Sequence, residues 1–446
     1  MSSRSHPTGL YVLFFTEAWE RFSYYGMRAL LVYYMTKQLF RPGHLEHVLG
    51  HGTVESSLVA VFGPLAPQAF ASQIYGLYTA LTYLTPLFGG ILADRVLGAR
   101  RSVVLGGALM ALAQFTLMEE RFFYLGLLLL IVGNGAFKPN ISTQVGALYA
   151  PDDPRRDRAF NVFYVGINLG AWAAPLVCGT LGETLGWRWG FAAAGIGMLL
   201  GLVVYVLGAP TLGTEPPRLA STTQAPLSKK DWTAVGALVV LCLLNVPYWA
   251  VYEQQGNTLA LWVDTSSDRR LFGIFGSSWQ MPATWFQSVN PAFIFLLTWM
   301  VNPYWSWQAR RGKEPSSVAK MAIGSGLLAV SYLVMALVAH QSQGGLASLW
   351  WLILSTGVLT LGEIYLSPVG LSLVTKVAPV RLVSMMMGLW LLSSFFGNYL
   401  SGALGMFWDR WTKESFFLVM ASLGAATSLA FVLLAAPLRR ALGEQR

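Results

Sequence analysis

Apolar residues in this chain come in long, nearly unbroken runs separated by short polar stretches. A helix needs ~20 mostly apolar residues to cross the ~30 Å hydrocarbon core of a bilayer. By that ruler the pattern predicts spans near residues 10–36, 72–93, 102–118, 122–149, 159–182 and 189–208. A second set follows near 232–263, 284–307, 319–340, 346–375, 382–407 and 415–437. The runs are too long for membrane strands and lack their two-residue alternation. The expected fold class is all-α integral membrane, with twelve transmembrane helices.

The stretch 209–231, APTLGTEPPRLASTTQAPLSKKD, is polar and rich in Pro, Ser and Thr. It can connect two bundles but cannot hold a further pair of spans. The expected organisation is a six-helix bundle over 1–208, a cytoplasmic linker over 209–231 and a second six-helix bundle over 232–446. Span count and loop polarity carry this division. Paired bundles of this kind place a substrate between the halves, near the membrane midplane.

Hydrophobic residues make up 54% of the chain and charged residues 11%, less than half of the ~25% usual in soluble proteins. That excludes a disordered chain, a nucleic-acid-binding protein and an ordinary cytosolic enzyme. The net charge of +9 is an orientation signal. Nineteen lysines and arginines, among them Arg4, Arg95, Arg218, Arg381 and Arg446, fall on one side of the predicted spans and eight on the other. Positive loops stay inside, so both termini are expected in the cytoplasm and the chain in the cell's inner membrane. Cys178 and Cys242 lie in apolar runs and form neither a disulfide framework nor a metal-binding spacing. About nine residues precede the first run, with no small-residue cleavage site, so that run is expected to remain in the mature protein.

Outside the loops three cations remain, Arg21, Arg28 and Lys138, and four glutamates lie within spans: Glu17, Glu20, Glu253 and Glu363. Each costs at least ~2.5 kcal/mol at the membrane centre, so such groups face a cavity and serve a purpose. At about 100° per residue Glu17, Glu20, Arg21, Tyr24 and Arg28 share one face of the first helix, which cannot face lipid. The seven groups sum to −1 when all are ionised, so the set can take up one proton. A carboxylate whose partner arrives or leaves during a transport cycle gains or loses a proton. Such coupling needs no histidine, and all five histidines fall in loops or at span ends. Static ion pairs are the competing reading. They account for one or two pairs, whereas seven groups favour transport.

The loop from Gly89 to Arg101, GGILADRVLGARR, resembles the signature of the major facilitator superfamily between its second and third helices. The run from Glu17 to Arg28, EAWERFSYYGMR, resembles the E-x-x-E-R-F-x-Y-Y-G motif of the proton-dependent oligopeptide transporter (POT) family of that superfamily. Further matches follow in order: GNGAFKPN from Gly133 to Asn140, FNVFYVGINLG from Phe160 to Gly170, EQQG from Glu253, QSVNP from Gln287, and Gly362-Glu363 followed by Ser367-Pro368.

This resemblance implies a major-facilitator fold and a symporter that imports di- and tripeptides with protons by alternating access. It assigns proton coupling to Glu17, Glu20, Arg21 and Lys138. Arg21 and Lys138 would take the peptide carboxylate, and Glu363 with Asn168 and Asn290 its α-ammonium. Tyr24, Tyr25, Tyr83 and Tyr164 would line the pocket, with Trp390 and Ser394 as further wall, and Arg28 with Glu253 would close an outer gate. The chemistry stands beside the family: a zwitterion needs a cationic and an anionic end, joined to it by charge-assisted hydrogen bonds, while aromatic walls tolerate many side chains. The chain departs from many bacterial relatives in having no room for two extra helices between its halves. It also has Gln254 where some relatives carry a carboxylate.

Other readings fit less well. The alternatives are a relative that moves another small solute, such as nitrate or a peptide-like drug, and a drug/proton antiporter; nitrate leaves Glu363 without an ammonium partner, and a drug-exporting antiporter does not need opposed charged ends. A membrane-embedded enzyme would require an intramembrane histidine, a metal cluster or a nucleophile–base pair. No P-loop spacing supports an ATP-driven pump. His44, His47 and His51, with Glu46 and Glu55 near, have a zinc-compatible spacing that reads more simply as a solvated outer loop. The expectation is a monomer embedded in the lipid bilayer, with no metal or cofactor, driven by the proton gradient.

Overall fold

The structure is a computed structural model; it describes residues 6–150, 153, 155–213, 228–270, 279–342, 345–379 and 382–442. Most of the expected linker, residues 214–227, lies outside the described residues, as do Arg4, Arg218, Arg381 and Arg446.

Among the described residues twelve α-helices reach 18 residues or more. In chain order they are α1 Thr8–Tyr34, α2 Pro67–Leu92, α3 Ala99–Thr116, α4 Phe123–Ala147, α5 Arg155–Ala174 and α6 Trp187–Gly208. There follow α7 Lys229–Tyr252, α8 Val289–Arg310, α9 Ser317–Ser342, α10 Leu349–Val377, α11 Val383–Gly405 and α12 Lys413–Leu442. Eight membrane-crossing candidates satisfy length and hydropathy on their own. The others, built on α1, α3, α8 and α11, are diluted by polar positions that the fold buries, such as Glu17, Glu20 and Arg21 in α1 and Ser393, Ser394, Asn398 and Ser401 in α11. Large apolar side chains such as Trp299, Leu207 and Leu433 stand exposed along the helices, as a lipid-facing surface requires.

Three features depart from a plain reading of twelve rods. A further helix, His51–Phe62, occupies the loop after α1, between Gly50 and Gly63, whose positive φ angles of 81° and 73° start and stop it. After α5 the chain continues through a π-helical turn, Pro175–Gly179, into Thr180–Leu185. The seventh predicted span is interrupted by the 3-10 turn Glu253–Gly256 before Thr258–Ser266 resumes it. Prolines interrupt helix interiors as well, at Pro86, Pro139, Pro247, Pro303, Pro368 and Pro437. Each removes one backbone donor. The only strand pairing among the described residues is a two-residue parallel contact of Ser267 with Ala347 and Asp268 with Ser348.

The chain sorts into two compact units. The first comprises Met1–Pro67, Leu81–Ser221 and Pro282–Pro291; the second comprises Gln68–Ala80, Thr222–Met281 and Ala292–Arg446. Within the first, α3 and α4 approach closely enough that a Cβ on Gly106 would sit 2.6 Å from the Gly133 carbonyl oxygen. Within the second, Gly324 and Gly362 bring α9 and α10 together in the same way. Small residues at such crossings let backbones pack where apolar burial offers no driving force between helices.

Candidate functional site

In the first unit α1 turns its charged face inward. Glu17, Glu20, Arg21 and Tyr24 are 4, 0, 5 and 6% exposed, and Arg28 is half-buried. Arg21 Nη2 donates to Glu20 Oε1 at 2.8 Å, and its Nε to Glu20 Oε2. The same Nε lies 3.2 Å from Glu17 Oε1. The guanidinium also stands 5.1 Å from the Tyr24 ring centroid. Tyr24 meets Tyr25 edge-on at 5.2 Å, and Arg28 stands 5.9 Å from the Tyr25 ring. Glu17 Oε2 is buried without a hydrogen-bond partner.

Close helix approach makes this burial possible. Gly170 of α5 lies against the Ala18 carbonyl, 3.0 Å from Arg21 Cβ measured from where its own Cβ would be. Gly201 of α6 faces Trp19 and the Thr16 carbonyl. A side chain at either position would push the charged turn away from its neighbours.

Lys138 of α4 places Nζ 4.7 Å from the Tyr83 ring centroid, and Glu17, Glu20, Arg21 and Arg28 all lie within its electrostatic reach. The following residue, Pro139, has no N–H to offer, which leaves the Gly135 carbonyl free of its usual helical partner. Gly89 of α2 packs on that carbonyl, and Gly135 packs on Thr85. Thr85 Oγ1 donates to the Ile131 carbonyl at 2.9 Å, and Asn134 Nδ2 to the Thr82 carbonyl at 2.9 Å. The inner part of α2 is thereby fixed to α4, which holds Tyr83 beside Lys138. Asn168 is buried, and its Nδ2 donates to the Tyr164 carbonyl one turn earlier at 3.0 Å. Tyr164 itself is half exposed, and Asn290 is half-buried as the second residue of α8.

The second unit holds Glu253, Glu363, Trp390 and Ser394. Glu253 is 1% exposed and opens the 3-10 turn. The Tyr252 hydroxyl donates to the Glu363 carboxylate, and Tyr248 is also within electrostatic reach of Glu363. Trp390 is buried, its six-membered ring lying directly over Gly370 of α10. Ser394 is buried, and its carbonyl accepts from Asn398 Nδ2 at 2.9 Å. Gln254 is stitched into its surroundings: Nε2 donates to the Ser401 carbonyl at 2.9 Å, and Oε1 accepts from Thr258 at 2.8 Å. A carboxylate there could not make the first of these bonds.

Two of the three loop histidines have partners in the structure. His44 Nδ1 is 2.8 Å from Glu120 Oε2, and His51 Nδ1 is 3.0 Å from the Tyr124 hydroxyl. One polar group escaped the charge inventory. Glu183 stands one residue beyond the predicted end of the fifth span and accepts three hydrogen bonds from Ala283 and Thr284. Its one sequence signal is Gly179, one helical turn earlier.

A family model described as the POT family matches residues 100–227 and 219–421 of the chain. The chain is 31% identical to a di-/tripeptide transporter of Lactococcus lactis subsp. cremoris, over 99% of this chain and 97% of that protein. It is 32% identical to the peptide transporter YePEPT of Yersinia enterocolitica, over 97% of this chain and 93% of that protein. Its fold matches the crystal structure of a POT family transporter in complex with a thioalcohol-conjugated peptide, with a TM-score of 0.84, 28% identity and 97% of each chain covered.

Proposed function

The chain belongs to the POT family, and from that premise we propose that it is a proton-coupled symporter importing di- and tripeptides by alternating access. The family consists of membrane transporters and not enzymes, so the chemistry to explain is binding and proton exchange. Relatives named as di-/tripeptide and peptide transporters support the substrate class.

The observation that carries the coupling is the buried cluster of Glu17, Glu20 and Arg21, with the half-buried Lys138 within electrostatic reach. Two carboxylates and two cations sum to zero. A peptide carboxylate delivered to Arg21 and Lys138 would leave the set at −1, and one proton restores neutrality. Burying the uncompensated charge would be expensive, so peptide and proton favour each other's presence. Glu17 Oε2, buried and lacking a hydrogen-bond partner, is the oxygen at which a proton relieves most. Glu363, Asn168 and Asn290 take the α-ammonium in this reading; Tyr24, Tyr25, Tyr83, Tyr164, Trp390 and Ser394 contact the peptide between its ends. Arg28 and Glu253 close the outer gate.

The test is uptake of labelled dialanine into proteoliposomes with and without an inward proton gradient. Accumulation that requires the gradient, and is competed by trialanine but not by free alanine, is the expected result. Folded protein that accumulates no dialanine under the gradient would overturn the substrate assignment.

A further inference from the structure

The 3-10 stretch Ala283–Ser288 that leads into α8 is held by a side chain outside the charged set. The π-helical turn Pro175–Gly179 carries α5 into its last stretch, Thr180–Leu185, and such turns recur at functional positions in long helices. From that stretch Glu183 Oε2 accepts from the Ala283 N–H at 3.0 Å. Its Oε1 accepts from the Thr284 N–H at 2.8 Å and from the Thr284 hydroxyl at 2.7 Å. Around this contact Trp285 Nε1 donates to Thr180 Oγ1 at 2.7 Å, Gln287 Nε2 to the Ala29 carbonyl at 3.3 Å, and Ser288 Oγ to the Trp172 carbonyl at 2.7 Å. Gly179 lies against Thr284, where any Cβ would collide with the hydroxyl. Residues Pro282–Pro291, from the second half of the sequence, are thus packed into the first unit.

The material of this contact is suited to reversal. A dry apolar seam costs its whole buried area when it parts, whereas a carboxylate, a hydroxyl and two amides exchange one another for water. Each charge-assisted bond then shifts an opening equilibrium by about tenfold or more. A contact of that size biases a conformation without freezing it.

We propose that Glu183 and Thr284 form a latch that seats the start of α8, and with it Asn290, and that opens in each transport cycle. Glu183 is in this sense a positioning residue, acting through the segment that carries Asn290. The inference rests on the alternating-access reading above.

The test uses the full-length chain in lipid nanodiscs, with Ala283→Cys as a reporter and a polar maleimide as the probe. Ala283 is 0% exposed, and Cys178 and Cys242 are buried, so labelling reads opening of the segment. Glu183→Ala and Thr284→Val should each raise the labelling rate about tenfold. Combined, they should do no more than Glu183→Ala alone, because without the carboxylate the Thr284 hydroxyl has no latch bond left to lose. Thr284→Ser, which retains the hydroxyl, should restore the reporter protein's rate to within about twofold. Thermal melting of each variant establishes that it is folded, and if Glu183→Ala fails there, the Thr284 pair decides alone. Labelling by folded latch variants at the reporter protein's rate would overturn the proposal, as would effects that multiply in the double variant. Dialanine uptake is measured separately on the unmodified chain: its failure would sink the peptide reading while the labelling result still judged the latch.

Discussion

Glu20 and Glu17 share Arg21, but not equally. Glu20 is the more deeply buried and engages the guanidinium through two nitrogens, while Glu17 reaches one nitrogen and leaves its other oxygen unpartnered. Arg21 would therefore keep an anionic neighbour if Glu20 lost its charge, and the cost of an isolated buried cation would be avoided. This makes Glu20→Gln an informative change. The amide retains an acceptor oxygen for Arg21 but cannot exchange a proton. Gradient-driven accumulation of dialanine should fall by about tenfold or more, since a neutral side chain removes the charge that couples proton to peptide. Counterflow, which needs no net proton movement, should remain measurable. Equal loss of both activities in folded protein would mean that Glu20 serves to hold Arg21 and not to move protons.

The charged turn of α1 exists because α5 passes within backbone distance of it, and that approach can be tested by itself. Gly170→Ala places a Cβ into the Ala18 carbonyl; overpacking of this kind costs about 1–3 kcal/mol. Gly90→Ala on α2 is the control, since its Cβ would meet Pro139 at an ordinary 3.8 Å. Melting of the purified protein should show a clear loss for the first and little change for the second. Similar melting temperatures for both would place α5 further from α1 than described. Close approaches of this sort were not legible in the sequence, whereas the helices themselves were: a run of apolar residues reports what faces lipid, and all twelve long helices overlap predicted spans. The helix His51–Phe62 was missed because its short, mixed pattern resembles a polar loop, and the break at Glu253–Gly256 because apolar residues continue on both sides. The burial of the α1 charges was legible from their shared helical face. Glu183 was not, because two of its three hydrogen bonds come from backbone amides a hundred residues away, and backbone amides leave no mark on a sequence.

For the molecule as a whole, the distribution of intramembrane charge along the chain is the argument for what it carries. Apart from Lys320, which pairs with Glu314 at the start of α9, its cations Arg21, Arg28 and Lys138 all fall in the first half of the sequence, and Glu253 and Glu363 fall in the second. With Arg28 and Glu253 assigned to the gate, and Glu17 and Glu20 to the proton, a cationic pair and one carboxylate are left for substrate, a pattern that fits a zwitterion better than a simple anion. Glu363→Gln separates the charge from the contact, because the amide oxygen can still accept from the Tyr252 hydroxyl that now donates to the carboxylate. A charge-assisted hydrogen bond is worth about 1.5–3 kcal/mol, so apparent affinity for free dialanine should weaken by roughly 10- to 100-fold. N-acetyl-dialanine has no ammonium to lose, and its weaker competition should hardly change. The comparison is made by competition against labelled dialanine in parent and variant proteoliposomes. If both ligands weaken by the same factor, Glu363 shapes the site through Tyr252, and the peptide's amino end is recognised elsewhere.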